Sequence, residues 1–388
     1  MERDNANLKI LFLTNIPSPY RVNFFNELGK YTDLTVIFER SFSSERDSSW
    51  KNYSIKNFRA ILLRGCLVGN DKAVGVDVIK YIKKNMYDAI IVSNPMTPTG
   101  VIAISYMRLK NIPFIIEGDG ALIKKESRVK HNLKKFLLCK AMAALATSEE
   151  HIKYYAMYGV SEKNIFRYHF SSVFKKDVID SKQLCNRKKK KEELDIPYDK
   201  AIVAVGSYTY RKGFDVLIEA SRHINNDVGI YIIGGIPSDD MLKTKEQYNL
   251  SNVHYLDYMV KDELFNYYLA ADIFVLPTRE DIWGLVINEA MANGLPVITT
   301  EKCFAGVEMI TNAWNGYIVP VDDSIFLANS VNEILHNEQR LIKMSIHSLE
   351  VANEYTIENM VKDHLSILAE LVKRQERDYE QHDKGLQR

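Results

Sequence analysis

Short apolar runs alternate with amphipathic stretches along most of the chain. The short runs are rich in β-branched and aromatic residues and predict strands, whereas apolar positions that recur every three or four residues predict helices. Alternation of this kind is typical of parallel sheets that are covered by helices. The pattern therefore predicts an α/β protein.

The predicted elements form two sets. The strands of the first half are Lys9–Thr14, Leu34–Phe38, Ala89–Ser93, Phe114–Glu117 and Ala143–Thr147, and its helices include Arg21–Tyr31, Val76–Asn85 and Thr99–Leu109. The strands of the second half are Ala201–Val205, Gly229–Ile233, Val253–Leu256, Ile273–Leu276, Pro296–Thr299 and Tyr317–Val319, with helices Phe214–His223, Lys261–Ala270 and Leu285–Ala292. Each set can form a doubly wound, Rossmann-like sheet of its own.

A polar segment separates the two sets. It contains five consecutive basic residues, Arg187 to Lys191, and a run of like charge resists packing. We therefore predict a solvated linker over residues 179–196, between an N-terminal domain (1–178) and a C-terminal domain (197–365). The last helix either closes a core or crosses back, in which case residues 366–388 belong to the N-terminal domain. Two such domains would face each other across a cleft, with ligands at the carboxyl ends of the strands.

The composition excludes some classes of protein. The chain has 388 residues, of which 46% are hydrophobic and 26% charged, so it has enough apolar material for folded cores. Its net charge of +1 is low for a general nucleic-acid binder, so we expect no nucleic acid as a partner. Residues 1–180 carry 28 Lys and Arg against 18 Asp and Glu. This basic half either suits an anionic partner or reflects uneven solvent-exposed charge.

The sequence also bears on location. The four cysteines form no CxxC pair, which favours a reducing compartment. No apolar stretch approaches the ~20 residues of a membrane helix, so we expect a cytoplasmic protein with at most peripheral contact at the inner face of the membrane. Lys124–Lys140 contains seven Lys and Arg and one Glu, beside Leu133 and Phe136. It predicts a basic amphipathic helix that lies on an anionic membrane or packs, solvated, on its own domain.

The segment from Pro277 to Gly294 contains the strongest candidate chemistry. A predicted strand ends at Pro277, and a helix begins near Gly284 and ends at Gly294. The N-terminus of that helix offers free N–H groups to an anion, and Gly284 lets a phosphate approach closely. Asp281 precedes this helix, either as a site carboxylate or as a plain N-cap, and Glu289 follows about two turns later.

This segment resembles the E-x7-E signature of the retaining glycosyltransferases of family 4, which have the two-domain GT-B fold. Three more segments resemble motifs of the same family: an acceptor-side loop at Asn15–Arg21, a diphosphate loop at Gly206–Gly213 and a late strand signature at Asn315–Pro320. The resemblance covers nearly the whole chain. It implies an acceptor-binding N-terminal domain and a nucleotide-sugar-binding C-terminal domain.

The chain departs from the family pattern at three places. Asp281 stands where the signature has Glu, with Glu280 adjacent as a possible substitute. Ser207 stands where the family often has Arg. Glu117-Gly118-Asp119 replaces a histidine that many members have, so the polar group of the N-terminal domain is either Glu117 or Asp119.

The resemblance implies roles that the residue types allow. Arg211 and Lys212 would neutralise a diphosphate leaving group, unless they are plain surface charge. Glu289 would bind ribose hydroxyls, and Asp281 the hydroxyls of the transferred sugar. The predicted catalytic residues are Asp281, Glu289, Arg211, Lys212 and Asp119. The predicted donor-binding residues are Gly206, Ser207, Arg211, Lys212, Gly284, Leu285, Val286 and Glu289. The predicted acceptor-side residues are Pro19, Tyr20, Arg21 and Glu117.

Motifs of other mechanisms are absent from the sequence. It contains no Asp-x-Asp motif and no zinc-type histidine spacing, so we expect neither a metal nor another cofactor. It contains no P-loop and no G-x-S-x-G elbow. The loop after the first strand has no glycine, which argues against a nicotinamide dehydrogenase.

The sequence thus predicts a retaining glycosyltransferase. It would move a hexose-type sugar from a nucleoside diphosphate, UDP before GDP, to a glycan or lipid-linked glycan of a bacterial surface polysaccharide such as capsule or lipopolysaccharide. Two alternatives remain. One is a sugar-nucleotide epimerase of the same architecture, and the other is a non-catalytic subunit of a glycosyltransferase complex.

Overall fold

The computed structural model describes residues 8–41, 54–67 and 73–386. It divides into two compact units. Unit 1 comprises the chain up to Phe170 together with the C-terminal part from Ile357, and unit 2 is Ser171–Thr356. Each unit contains its own parallel sheet, so the predicted α/β class with two Rossmann-like domains is confirmed.

The main sheet of unit 1 is parallel and has seven strands within the described residues. These strands are β1 (Lys9–Thr14), β2 (Asp33–Phe38), β3 (Arg59–Leu62), β6 (Ala89–Val92), β7 (Ile115–Glu117), β8 (Ala143–Ala146) and β9 (Ile165–Arg167). A separate antiparallel pair consists of β4 (Cys66–Leu67) and β5 (Ala73–Val74). The spatial order of the main sheet is β3-β2-β1-β6-β7-β8-β9. The central strands are unbroken apolar runs because both faces of the sheet are buried.

The helices of unit 1 follow its strands. They are α1 (Pro19–Leu28), α2 (Pro98–Leu109), α3 (Arg128–Leu138), α4 (Glu149–Met157) and α13 (Ile357–Leu386), with 3-10 turns at Val76–Lys80 and Glu162–Asn164. Thr97, Ser127 and Ser148 cap the first free N–H groups of α2, α3 and α4 with their hydroxyls.

The sheet of unit 2 is parallel and has six strands in the part of the chain that is described. They are β10 (Lys200–Val205), β11 (Val228–Ile233), β12 (Val253–Leu256), β13 (Ile273–Leu276), β14 (Val297–Thr300) and β15 (Gly316–Val319). Their order is β12-β11-β10-β13-β14-β15. The helices are α5 (Arg187–Glu193), α6 (Phe214–Ser221), α7 (Asp239–Gln247), α8 (Lys261–Ala270), α9 (Leu285–Ala292), α10 (Phe304–Met309), α11 (Ser324–Leu335) and α12 (Glu338–Glu354), with 3-10 turns at Lys175–Asp177, Ser181–Asn186 and Tyr210–Lys212.

The C-terminal helix α13 belongs to unit 1, so the second of the two predicted alternatives is the one observed. It begins at Ile357 and packs against α1. Its buried side chains recur at helical spacing, as in Met360, His364 and Leu368. This spacing gives α13 one face that completes the core of unit 1.

The predicted solvated linker is wrong. Residues 179–196 belong to unit 2, and the basic run forms α5. Arg187 donates from Nη2 to the carbonyl of Gly294 at 2.7 Å, and Nζ of Lys191 lies 2.6 Å from Oδ2 of buried Asp272. Arg187 and Lys191 are four residues apart and therefore share one helix face, whereas Lys189 between them is exposed.

One more local prediction differs from the structure, and two strands were not predicted. The predicted helix Val76–Asn85 is only a 3-10 turn at Val76–Lys80, and Asn85 has a left-handed φ of 63°. The apolar pattern missed strands β3 and β9. Both lie at the edges of the sheet, and their exposed positions weaken the apolar signal that predicts a buried strand.

None of the described helices combines the length and the apolar content that crossing a bilayer requires.

Candidate active site

The candidate donor site of unit 2 lies where the strand order of its sheet reverses. Strands β10 and β13 are neighbours although two strands separate them in sequence. Ligands of open α/β sheets bind beyond the carboxyl ends of the strands at such a switch point. The two loops that begin there are residues 206–212 and 277–284, which include most of the predicted donor-binding residues.

The loop after β10 leads into the turn Tyr210–Lys212 and is pressed against the end of β13. Gly213 has a φ of 69°, and a Cβ built on it would lie 2.0 Å from the carbonyl oxygen of Pro277. No L side chain fits this approach. Glycine is therefore what lets the turn, with its two cations, lie against the loop after β13.

Those cations meet the predicted first carboxylate of the signature. Nζ of Lys212 lies 2.8 Å from Oδ2 of Asp281, and Nη1 of Arg211 lies 3.4 Å from the same oxygen. Arg211 also donates to the carbonyl of Glu280 at 2.8 Å. The side chain of Lys212 is 10% exposed and that of Arg211 is 46% exposed. Two cations thus share one carboxylate, and the exposed one is accessible to an anionic ligand.

The N-terminus of α9 lies next along the same loop. Gly284 is its N-cap with a φ of 104°, and no side chain of the described residues caps this end. Trp283 is buried, and its indole N–H donates to Oδ1 of Asn288 at 2.9 Å. The N–H groups of Leu285 and Val286, in the first turn of α9, therefore follow a loop that the buried Trp283 anchors. Such a helix N-terminus suits a phosphate.

Glu289 lies further along α9 with partners of its own. Its two carboxylate oxygens accept hydrogen bonds from the hydroxyls of Ser172 at 3.3 Å and Tyr268 at 3.2 Å. Burial raises the pKa of Glu289, and the positive charge of Lys261 opposes the rise. Ser172 and Tyr268 were not predicted from the sequence, because neither hydroxyl lies in a motif with Glu289.

The predicted acceptor-side residues of unit 1 also come together. Arg21 donates to Oε1 of Glu117 at 2.6 Å and forms an ion pair with Asp119, while the hydroxyl of Tyr20 donates to Oδ2 of Asp119 at 2.6 Å. Pro19 occupies the first turn of α1, where a missing N–H costs nothing. Strands β1 and β7 thus bring these side chains to one edge of the sheet.

The two carboxylates of this cluster differ in access. Glu117 is fully buried, whereas the side chain of Asp119 is 30% exposed. Burial alone would raise the pKa of Glu117, but Arg21 and His364 outweigh it and hold that pKa at about 2. Oε2 of Glu117 lies 3.5 Å from Nε2 of His364. Glu117 is therefore an internal anion, and Asp119 is the carboxylate that reaches the surface.

Two buried histidines of this cluster had no sequence signal. His364 comes from α13, far from Glu117 in sequence. The ring of His151 lies so close to Gly118 that an added Cβ would be 3.1 Å from its Cε1, and it stacks on Tyr155 with centroids 4.4 Å apart. Burial lowers the pKa of His151 to about 3, so its ring is neutral.

Within the described residues, no group of three or more His, Cys, Asp and Glu side chains could hold a metal ion.

Comparison with known proteins shows similarity over residues 186–348 and similarity of the overall fold. Residues 186–348 match the sequence model of the family described as "Glycosyl transferases group 1". A D-inositol 3-phosphate glycosyltransferase of Corynebacterium urealyticum is 27% identical over 44% of this chain and 43% of its own length. An uncharacterized 41.2 kDa protein in the cps region of Klebsiella pneumoniae is 26% identical over 66% of this chain and 71% of its own. The chain spans about half the length of several curated relatives that it matches.

A solved structure is similar over almost the whole chain. Anabaena HepE in complex with UDP superposes with a TM-score of 0.76 and 16% identity, covering 94% of this chain and 100% of that one. The predicted GT-B fold is thereby confirmed, while membership of family 4 and the E-x7-E signature stay predictions. The chain thus consists of two parallel-sheet units and has the GT-B fold, and its residues 186–348 are similar to group 1 glycosyl transferases.

Proposed function

We propose that the protein is a retaining glycosyltransferase that uses a UDP-sugar without a metal. It would transfer a hexose-type sugar to a glycan or lipid-linked glycan of a bacterial surface polysaccharide, on the cytoplasmic side of the membrane. The observation that carries the proposal is the cation pair Arg211 and Lys212 against Asp281 at the switch point of unit 2. The relatives support the reaction class, and the HepE complex supports UDP.

The donor would lie across the two loops of unit 2. Arg211 and the N-terminus of α9 would meet the diphosphate, and charge that develops on it as it leaves is stabilised by fixed cations and dipoles. Lys212, held by Asp281, is oriented before any ligand arrives. Glu289 would accept hydrogen bonds from ribose hydroxyls, since it is the carboxylate that α9 itself carries.

The acceptor would meet Asp119 and not Glu117. Glu117 is enclosed by Arg21, Tyr168 and His364, so no substrate hydroxyl reaches it without opening the core. Asp119 is partly exposed, and Arg21 and Tyr20 fix its orientation. In a retaining reaction of the predicted type the leaving diphosphate itself takes the proton of the acceptor. Asp119 would then orient the acceptor hydroxyl.

The direct test measures thermal stabilisation by UDP, GDP, ADP and dTDP, each with and without EDTA. A ligand at 100 times its Kd adds about 2.7 kcal/mol. We expect a shift with UDP that EDTA does not change, and its loss in Arg211→Ala and Glu289→Ala. Glu219→Ala, on the exposed side of α6, serves as the control. No shift with any nucleotide would overturn the donor site and favour the non-catalytic subunit.

Turnover then distinguishes the enzyme classes. Incubation with UDP-glucose and UDP-N-acetylglucosamine should release UDP only when a lipid-linked glycan extract is added. Conversion of the donor into its epimer without any acceptor would instead establish the epimerase. Asp119→Asn should reduce release of UDP in the presence of acceptor while the thermal shift with UDP stays unchanged.

A lipid-linked acceptor would bring α3 to an anionic membrane. Val129, Leu133 and Phe136 on this helix are exposed, beside the exposed Lys130 and Lys135. Exposed apolar and basic side chains on one helix suit an anionic bilayer face. Lys134 is not free for this role, because its Nζ lies 2.7 Å from Oε2 of Glu126.

Vesicle flotation tests the membrane contact. Replacing both Lys130 and Lys135 by Gln should weaken binding to phosphatidylglycerol vesicles, because each basic residue near such a surface contributes about 1 kcal/mol. The matched control replaces the exposed Lys189 and Lys243 of unit 2. Equal binding of both double variants would remove the proposed contact.

A further inference from the structure

Arg279 lies at the junction of three loops of unit 2. It follows β13 by three residues, and its guanidinium contacts residues that follow β10 and β15. Nη1 donates to the carbonyl of Tyr210 at 2.7 Å, and Nε donates to Oδ1 of Asp322 at 2.7 Å. Nη1 and Nη2 form a two-pronged pair with Asp215 at 2.9 and 2.6 Å. The guanidinium also lies 3.9 Å from the centroid of the Tyr210 ring.

Thr278 and the main chain of Arg279 bind Arg211, the next residue of the turn after Tyr210. The N–H of Arg279 donates to the carbonyl of Arg211 at 2.8 Å, and the hydroxyl of Thr278 donates to that carbonyl at 2.8 Å as well. The carbonyl groups of both Tyr210 and Arg211 are therefore bound by the loop after β13. The position of the Tyr210–Lys212 turn depends on this segment.

Arg279 differs from Arg211 in how far protein groups neutralise its charge and use its hydrogen-bond donors. The side chain of Arg279 is only 13% exposed, and two carboxylates, Asp215 and Asp322, neutralise it. Its four hydrogen bonds use most of the N–H donors of a guanidinium. Arg211 is more exposed and shares its one carboxylate with Lys212. The hydrogen-bond donors of Arg279 are thus used within the protein, whereas the guanidinium of Arg211 is accessible to a ligand.

We infer that Arg279 is a positioning residue that holds the diphosphate-binding turn in place through Asp215 and the Tyr210 carbonyl, without contacting the diphosphate. The inference rests on the proposed function for the identity of the ligand. It explains why arginine is needed at this position. Only the planar fork of arginine binds a carboxylate with two parallel hydrogen bonds while it stacks on an aromatic ring, and a lysine ammonium does neither.

The first experiment needs no ligand. Amide hydrogen exchange of residues 206–213 should be faster in Arg279→Gln and Arg279→Lys than in the parent protein, because the turn loses its side-chain anchor. Asp215→Asn should show part of the same increase. The control is Arg222→Gln, since Arg222 also stacks on a tyrosine, Tyr248 at 3.8 Å, but lies at the end of α6, away from this turn. Unchanged exchange of residues 206–213 in Arg279→Gln would overturn the inference.

The second experiment separates positioning from general damage. UDP binding by calorimetry and uridine binding by ligand-observed NMR should diverge in Arg279→Gln. We expect UDP to bind about tenfold more weakly, a change of about 1.4 kcal/mol, and uridine to bind within about twofold of the parent, because only the diphosphate meets the turn. Equal weakening of both ligands would indicate a merely structural role and would also overturn the inference.

The same titrations separate the inference from its alternatives. If Arg279 contacted the diphosphate directly, Asp215→Asn would leave the affinity for UDP unchanged or raise it, and positioning would be refuted. If positioning holds, Asp215→Asn weakens UDP binding in the same direction as Arg279→Gln. A parent protein that binds no nucleotide would contradict the proposed function, while the exchange rates would still decide whether Arg279 positions the turn.

Discussion

Both units place a cation from the residues that follow their first strand against a carboxylate at or beyond the end of a later strand, but they bury the pair to different degrees. In unit 1, Arg21 follows β1 and meets Glu117 at the end of β7, and both side chains are shielded from solvent. In unit 2, Arg211 and Lys212 follow β10 and meet Asp281 after β13, with Arg211 exposed. The two sheets have the same winding around their first strands.

The difference follows from what surrounds each carboxylate. Glu117 has Arg21, Tyr168 and His364 around it, the last supplied by the C-terminal helix. Asp281 is also mostly buried, with a side chain that is 11% exposed, but one of its two cations, Arg211, reaches solvent. A closed pair contributes to folding and orientation, whereas an open pair with surplus positive charge can accept an anion. One topology therefore supplies an enclosed ion pair in unit 1 and, under the proposed function, a ligand site in unit 2.

The largest effect should come from opening the closed pair. Arg21→Met leaves Glu117 buried without its main partner, and breaking a buried pair in this way costs about 3–5 kcal/mol. Lys212→Met leaves Asp281 beside Arg211, so we expect a clearly smaller loss. Hydrogen exchange of β7 for the first variant and of β13 for the second measures each loss within its own unit. Equal losses would contradict the distinction between the two pairs.

The loop that supplies Asp281 offers the next test. Gly284 has a φ of 104°, and an added Cβ would lie 2.9 Å from Sγ of Cys303. Gly284→Ala should cost about 2–3 kcal/mol through strain and this contact together. In a Cys303→Ala background the cost should fall, because only the backbone strain remains. Thermal unfolding of the single and double variants measures the coupling.

A glycine of unit 1 serves as the control for Gly284. Gly159 also has a positive φ, of 86°, but an added Cβ would lie 3.3 Å from its nearest neighbour, Cβ of Cys139. Gly159→Ala should therefore lower the free energy of unfolding less than Gly284→Ala does. Its effect should be the same with and without Cys303→Ala. A larger cost at Gly159 would show that backbone strain alone, without the contact to Cys303, determines both values.

The cluster around Glu117 should also give unit 1 its own pH dependence. Burial lowers the pKa of His151 to about 3, while an unfolded chain protonates histidine near pH 6.5. Between these values the unfolded state binds the additional proton. Stability therefore falls as pH is lowered from about 6.5 towards 3, by up to about 1.4 kcal/mol per pH unit. His151→Gln should flatten the dependence of β7 exchange between pH 6.5 and 5, by about 1.6 kcal/mol in total.

The decisive measurement for His151 is the slope of stability against pH, because any pH-independent cost of the substitution cancels between the two pH values. The control is His131→Gln, which replaces a partly exposed histidine of the same unit. If both variants keep the parent slope, other groups cause the acid sensitivity of this cluster.

Elements with strong local signals were predictable from the sequence. The predicted bounds of β13 and α9 are those observed, because the unbroken apolar run of β13 and the end residue Gly294 of α9 determine them locally. The edge strands β3 and β9 of unit 1 were missed because their exposed positions weaken that signal. The basic run at α5 was misassigned because its charge suggested a linker, whereas its partners Asp272 and Gly294 lie far away in sequence.

The candidate site shows the same limit. The resemblance located Arg211, Lys212, Asp281 and Glu289, but it did not indicate which of them touch. The contacts of Arg279 with Asp215, and of His364 with Glu117, join segments that only the tertiary fold brings together. A local pattern specifies which face of an element is buried, and it does not specify the partner on the other side.

The smallest effect should come from an open pair on the same helix as His364. Oδ2 of Asp363 accepts from the backbone N–H of His169 at 2.9 Å and lies 2.8 Å from its Nδ1, and the side chains are 25% and 41% exposed. Solvent screens such a pair, so Asp363→Asn should cost less than about 1 kcal/mol in the exchange of β9. His364→Ala, one residue further along α13, should cost more because it leaves Glu117 buried with one partner fewer. A larger loss for Asp363→Asn would show that exposed contacts hold α13 to unit 1, and burial would then not distinguish structural pairs from ligand sites.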